Sequence, residues 1–248
     1  MHISGTKIAR FSLAVFVFIE LVCFLLIQIG VNGYTDYVRF SSIVIAFLFA
    51  LLFLDKNADS LLCVFALLFT VCADYCLVIM EPEPRMAAMV FFNTVQLCYF
   101  VRIFLNEKSK TKRTVHVCVR LALIVVAVFA TVIVLGESAD ALSIVSIIYF
   151  SNLLINIIFA FCERRRFLLF AIGLLSFAFC DVFVGLGVLV NDYIGAQAGS
   201  ILYSLTHTEM DIIWFFYVPS QTLIAISNYK DGKTENKKIS ETEAQQTV

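Results

Sequence analysis

Residues 67–102 read LLFTVCADYCLVIMEPEPRMAAMVFFNTVQLCYFVR. Two apolar runs flank Glu81-Pro82-Glu83-Pro84-Arg85. A helix needs about 20 mostly apolar residues to cross a bilayer. Proline cannot continue a helix. The stretch therefore predicts two membrane-crossing helices joined by a tight turn. Asp74 sits well inside the first crossing, and Asn93 and Gln96 sit inside the second. An ionisable side chain in hydrocarbon costs several kcal/mol unless it faces protein or a wet cavity, so its default reading is functional.

The rest of the chain has the same character. Of 248 residues 61% are apolar and 15% charged, and the mean hydropathy is +0.93. Soluble domains carry roughly 25% charged residues, so the composition predicts an all-α integral membrane protein. The net charge of −1 says little, because the placement of charge governs a membrane protein. The eight cysteines fall almost entirely within apolar runs, where they act as small hydrophobes. No histidine is interleaved with them, so no metal and no cofactor is expected. There is no Gly-rich phosphate loop, no nucleophile elbow and no nucleic-acid footprint. Expected partners are membrane lipids, not nucleic acid, and the oligomeric state is left open.

Apolar length and turn residues predict eight spans, at about 10–30, 37–54, 59–80, 86–105, 115–135, 141–162, 167–190 and 208–228. The first run is too long for a signal-peptide core, so it is expected to remain as an anchor. Residues 191–207 predict an ordered or re-entrant connection. Residues 229–248 are polar and charged, and predict a disordered tail after a transmembrane domain of residues 1–228. Lysine and arginine set orientation. With the N-terminus inside, sixteen fall on inside segments, Arg102 and Arg120 among them, and only Arg39 and Arg85 fall outside. This predicts both termini in the cytoplasm, with the cell membrane as the expected location.

An internal repeat is visible. In Leu67-Leu-Phe-Thr-Val-Cys-Ala-Asp74 and Leu174-Leu-Ser-Phe-Ala-Phe-Cys-Asp181, the aspartate stands seven residues after a Leu-Leu pair. Phe91-Phe-Asn-Thr-Val-Gln96 pairs with Phe215-Phe-Tyr-Val-Pro-Ser-Gln221. Two four-span halves, about 10–105 and 115–228, are then parallel repeats related by an axis along the membrane normal. Counting rise per residue puts Asp74 and Asp181 at similar depth, in the outer half of the membrane.

Two acids at one depth can divide the work of proton donor and anion, as paired carboxylates do in hydrolases. They can equally make two separate helix–helix hydrogen bonds, or couple transport to a proton or cation. Asn93 with Gln96, and Tyr217 with Gln221, share helix faces. They can line a cavity or hold helices together. Asn152 and Asn156 form a similar pair, read as helix glue. Glu20 stands in mid-span with no basic partner in view. His207, Glu209 and Asp211 read as a solvated helix start.

At these residues the chain resembles the YhhN-like membrane proteins, the family that contains the lysoplasmalogenases. Ala73-Asp74 stands where that family shows Gly-Asp. Gln96 stands where it shows a histidine, with Tyr99 following. Cys180-Asp181 stands for its Ser-Asp, and Tyr217-x-x-x-Gln221 for its Tyr-x-x-x-Gln. Arg39-Phe40 is the nearest match to its Lys-Pro, without the proline. The resemblance implies hydrolysis of the vinyl ether bond of lysoplasmalogen-type lipids. Asp74 and Asp181 would be catalytic, and Asn93, Gln96, Tyr99, Tyr217 and Gln221 would bind substrate. Glutamine in place of histidine removes a titratable group from that set. The alternative is a proton- or cation-coupled transporter, or a non-catalytic lipid-binding protein, built on the same acids.

Overall fold

The computed structural model describes residues 6–163, 167–188, 190 and 210–229. The expected 191–207 connection, the 229–248 tail, His207 and Glu209 lie outside these residues or, for the tail, almost entirely so. Every element among the described residues is helical. In chain order they are α1 (Thr6–Ile29), α2 (Thr35–Leu52), α3 (Ala58–Asp74), α4 (Arg85–Asn106), α5 (Lys110–Leu135), α6 (Ala141–Cys162), α7 (Leu168–Val188) and α8 (Ile212–Ile226). Seven of them, α1 to α7, are long and apolar enough to cross a membrane, and α8 is a shorter apolar helix. In hydrocarbon the backbone must satisfy its own hydrogen bonds, which a helix does within one segment. That constraint overrides the weak helix propensity of the many Val, Ile and Phe residues.

Polar punctuation sets the helix ends. The Asn57 side chain accepts from Ser60 N at the start of α3, and Ser109 from Lys112 N at the start of α5. Asp140 and Asp211 accept from Ser143 N and Trp214 N at the starts of α6 and α8. Such caps satisfy donors the first turn leaves free. α5 stops at Gly136, whose φ of +54° favours glycine. α3 does not stop cleanly at Asp74 but continues as a π-turn over Tyr75–Ile79. The wider turn falls immediately after the buried carboxyl. Such turns are frequent at functional sites.

The helices close into a ring. α2 packs on α3, α3 on α4, α4 on α6, α6 on α7, α7 on α8, and α8 back on α2. α1 leans on α2 and α8, and α5 leans on α6. The core lies inside the ring, with Leu67, Val95, Leu153, Leu174 and Ile224 fully buried. The outer faces are apolar and exposed, as at Phe11 and Phe18 of α1 and at Val125, Val126, Phe129 and Ile133 of α5. A water-soluble surface does not carry apolar patches of that extent. The chain is an integral, multi-pass membrane protein.

Two of the arginines counted on inside segments are not solvated. Arg102 and Arg120 count as cytoplasmic charges by position, yet both side chains are buried inside the bundle. Arg102, in the last turn of α4, bonds Asp59 at 3.1 Å and Ser227 Oγ at 3.0 Å, and lies over the rings of Phe167 and Phe170. It ties α3, α4, α7 and α8 together at one end of the ring.

Candidate active site in the bundle core

The ring brings both predicted aspartates into its core layer, each under a tyrosine. The Tyr217 hydroxyl of α8 donates to Asp74 Oδ2 of α3 at 2.7 Å. The Tyr149 hydroxyl of α6 donates to Asp181 Oδ2 of α7 at 2.6 Å. Asp74 is 3% exposed, and Asp181 is partly buried. The two carboxyls lie within electrostatic reach of each other. Phe177 stands between the tyrosines, with its ring 5.4 Å from Tyr217 and 6.3 Å from Tyr149. Phe92 of α4 packs on both Tyr149 and Phe177. The buried Cys180 thiol is within electrostatic reach of Asp181, Asp74 and Asp211. Four helices from both halves of the chain thus meet around two acids.

Local sequence explains how α8 delivers Tyr217. Pro219 lies inside this helix. Proline has no N–H for the usual bond one turn back and bends a helix. One turn earlier, the Phe216 carbonyl accepts from Ser176 Oγ of α7 at 2.9 Å. α7 in turn presents Gly173 to α8, where an added Cβ would meet Ser220 O at 3.0 Å. The close approach seats Tyr217 against Phe177.

The remaining predicted residues divide. Gln96 of α4 is fully buried, and both its carbonyls accept from Asn156 Nδ2 at 2.9 Å. Its Nε2 has no hydrogen-bond partner among the described residues. Asn93 donates to Met89 O at 2.9 Å and to Val145 O of α6 at 3.2 Å, which is a helix-bridging role. Tyr99 and Gln221 lie about one turn further along their helices. The Tyr99 hydroxyl and Gln221 Oε1 are buried without a partner among the described residues. Buried polar atoms are nearly always hydrogen-bonded, so each orphan calls for an explanation such as a water or ligand.

Sequence reasoning missed two participants. Tyr149 reads as one more aromatic of an apolar helix, and only its neighbour Asp181 reveals it. Arg120 of α5 donates to the Asn152 and Asn156 carbonyls, reaches His116 Nε2 at 3.2 Å and lies over the Phe100 ring. The spacing of Asn152 and Asn156 at i, i+4 was the available signal. Glu20 is hydrogen-bonded, with Ser42 Oγ donating to its Oε2 at 2.6 Å. Asp211, read as a solvated start, instead pairs with Arg39 of α2. Among the described residues no cluster of His, Cys, Asp and Glu comes together as metal ligands would.

No curated protein and no solved structure matches the chain. The sequence model of the YhhN family matches residues 34–228, a span that includes every residue of the acid pair and its tyrosines, and the chain belongs to that family.

Proposed function

We propose that this protein hydrolyses the vinyl ether bond of lysoplasmalogen-type ether lipids within the membrane, through Asp74 and Asp181. One observation carries the reading: two carboxyls from different halves of the chain lie within electrostatic reach, each held by a tyrosine hydroxyl. Family membership is consistent with it. The reaction suits the residues. One carboxylic acid gives its proton to the vinyl carbon remote from oxygen, leaving an oxocarbenium ion. The other, ionised, stabilises that cation and takes a proton from the attacking water. As the hemiacetal collapses, the carboxyl that took the water proton gives it to the leaving glycerol oxygen and the first carboxylate takes the hemiacetal hydroxyl proton, so a fatty aldehyde and a free glycerol hydroxyl leave and both acids return to their starting states. A positioned proton donor is worth roughly 10²–10⁴ in rate.

Tyr217 fixes Asp74, and Gln96, Tyr99 and Gln221 hold water or substrate oxygens, while Asn93 bridges α4 to α6 beside them. The unpartnered atoms of Gln96, Tyr99 and Gln221 support that assignment. Gln96 replaces the family histidine as a neutral donor held by Asn156. The tail enters between helices, as the apolar outer faces allow. The proposal includes eight spans, both termini in the cytoplasm, parallel halves at about 10–105 and 115–228, and residence in the cell membrane.

The test is aldehyde release from a lysoplasmalogen by purified protein. Asp74→Asn and Asp181→Asn should each lower the rate by about 10²–10⁴-fold. Equal rates in wild type and both variants would sink the catalytic claim. Ion-dependent transport without product would favour the transporter alternative.

A further inference from the structure

A cleft of about 460 Å³ opens where the end of α1 meets the starts of α2 and α8. Its polar lining is Gln28, Thr35, Asp36, Arg39 and Asp211. Ligand pockets commonly fall in the range of about 300–1,000 Å³ and hold few, convergent polar groups. Arg39 bonds Asp36 at 2.6 Å and also pairs with Asp211, with its guanidinium carbon 5.5 Å from the Trp214 ring. Gln28 Nε2 donates to Asp211 O at 3.1 Å. The pairing is incomplete, however. Gln28 Oε1 and Arg39 Nε are buried and lack partners among the described residues.

We propose that this cleft is the headgroup site and takes an ammonium-bearing phosphodiester, with the phosphate on Arg39 and the ammonium beside Asp36. The inference rests on the lipid-hydrolase reading for its substrate class, but not for its charge logic. Two carboxylates against one guanidinium leave the cleft negative, so a phosphate alone meets net repulsion. A zwitterion supplies acceptors for the unused Arg39 donor and donors for the unused Gln28 acceptor. Asp36, with a 60% exposed side chain, is the carboxylate best placed to meet a mobile ammonium.

The position of the cleft completes the argument. From Asp211, which caps Trp214 N at 3.3 Å, the path runs to Tyr217, whose ring meets Trp214 edge-on at 5.0 Å, and on to Asp74. Six residues of helix place Tyr217 about 9 Å below Asp211. The glycerol unit between phosphate and ether oxygen covers part of that length, and the vinyl carbons beyond the oxygen carry the chain further toward Tyr217. A headgroup seated in the cleft therefore points its ether bond along α8 toward the acid pair.

The experiment measures calorimetric binding of glycerophosphoethanolamine and of glycerophosphate to the full chain in nanodiscs. Glycerophosphoethanolamine should bind about tenfold or more tightly than glycerophosphate, about 1.4 kcal/mol per tenfold. Asp36→Asn should abolish that preference while melting like wild type, and Arg39→Lys should weaken both probes. Asp36→Asn keeps the test decisive if the Arg39 variant fails to fold. Equal binding of the two probes, a preference that survives Asp36→Asn, or no binding of either probe would overturn the site. Binding should persist in Asp74→Asn. A preference without aldehyde release from wild type would remove the hydrolase and leave the headgroup site standing.

Discussion

At the scale of single residues, Gly173 shows how tightly the site is built. A Cβ there would meet Ile224 Cγ1 at 2.9 Å and Ser220 O at 3.0 Å. The side-chain carbon can rotate away, but the carbonyl belongs to the helix that carries Tyr217. Overpacking of this kind costs about 1–3 kcal/mol. Gly173→Ala should therefore lower the melting temperature in detergent and slow aldehyde release together, because α8 must shift. A variant that melts and turns over like wild type would show that α7 and α8 have slack. The acids were legible in the sequence because a carboxyl in an apolar run stands out against its neighbours. Tyr149 was not, since an aromatic in such a run is ordinary until its hydroxyl finds Asp181. Arg120 drew notice only as one charge among those on inside segments, and its bonds to Asn152 and Asn156, on a different helix, show what it does.

At the scale of elements, helix ends were legible where residue chemistry forces them. Pro82 and Pro84 close the α3–α4 turn, and Asp140 caps α6. The π-turn after Asp74 left no mark in the sequence, because no residue type demands it. The Asp140 carboxyl accepts from Ser143 Oγ at 2.5 Å and from Ser143 N at 2.8 Å. These bonds, the hydroxyl first, hold its pKa below the usual carboxylate value. A carboxyl whose folded pKa is depressed contributes stability above its unfolded value, and that contribution is lost as pH falls through the folded value. Asp140→Ala should therefore melt below wild type at neutral pH, and the gap should narrow steadily below about pH 4. Thermal unfolding of both proteins over that range checks it. A gap that stays constant into acid would mean the cap acts through shape and not through charge. α5 shows another limit of sequence reading. Its length and apolarity announce a span, but nothing in them says that it stands outside the ring on α6.

At the scale of the whole molecule, the packing has a pattern that neither half contains alone. Within the first half α1 packs on α2, α2 on α3 and α3 on α4; within the second, α5 on α6, α6 on α7 and α7 on α8. Between halves, α4 packs on α6 and α8 packs on α2, and α1 and α3 also touch α8. The fourth helix of each half therefore meets the second helix of the other, an exchange that the proposed parallel repeat would produce. The aligned aspartates are the sequence's own argument for that repeat, and contacts between distant segments leave no trace in one sequence. The tyrosines break the symmetry: Asp74 takes its partner from the other half, and Asp181 takes its partner from its own. That asymmetry gives the two acids different surroundings, as unequal roles of donor and anion need. If the halves are the proposed parallel repeats, each crosses the membrane an even number of times. The start of α1, the start of α5 and the end of α8 then share one face. Arg102, bonded to Asp59 and Ser227, joins the α4, α3 and α8 ends at that face. Green fluorescent protein fused at the C-terminus should fluoresce in a bacterial host, and alkaline phosphatase fused at the same point should be inactive. Active phosphatase there would place the C-terminus across the membrane. With a reporter at the N-terminus showing that end inside, an odd number of crossings would follow, and the parallel-repeat architecture would fall with it.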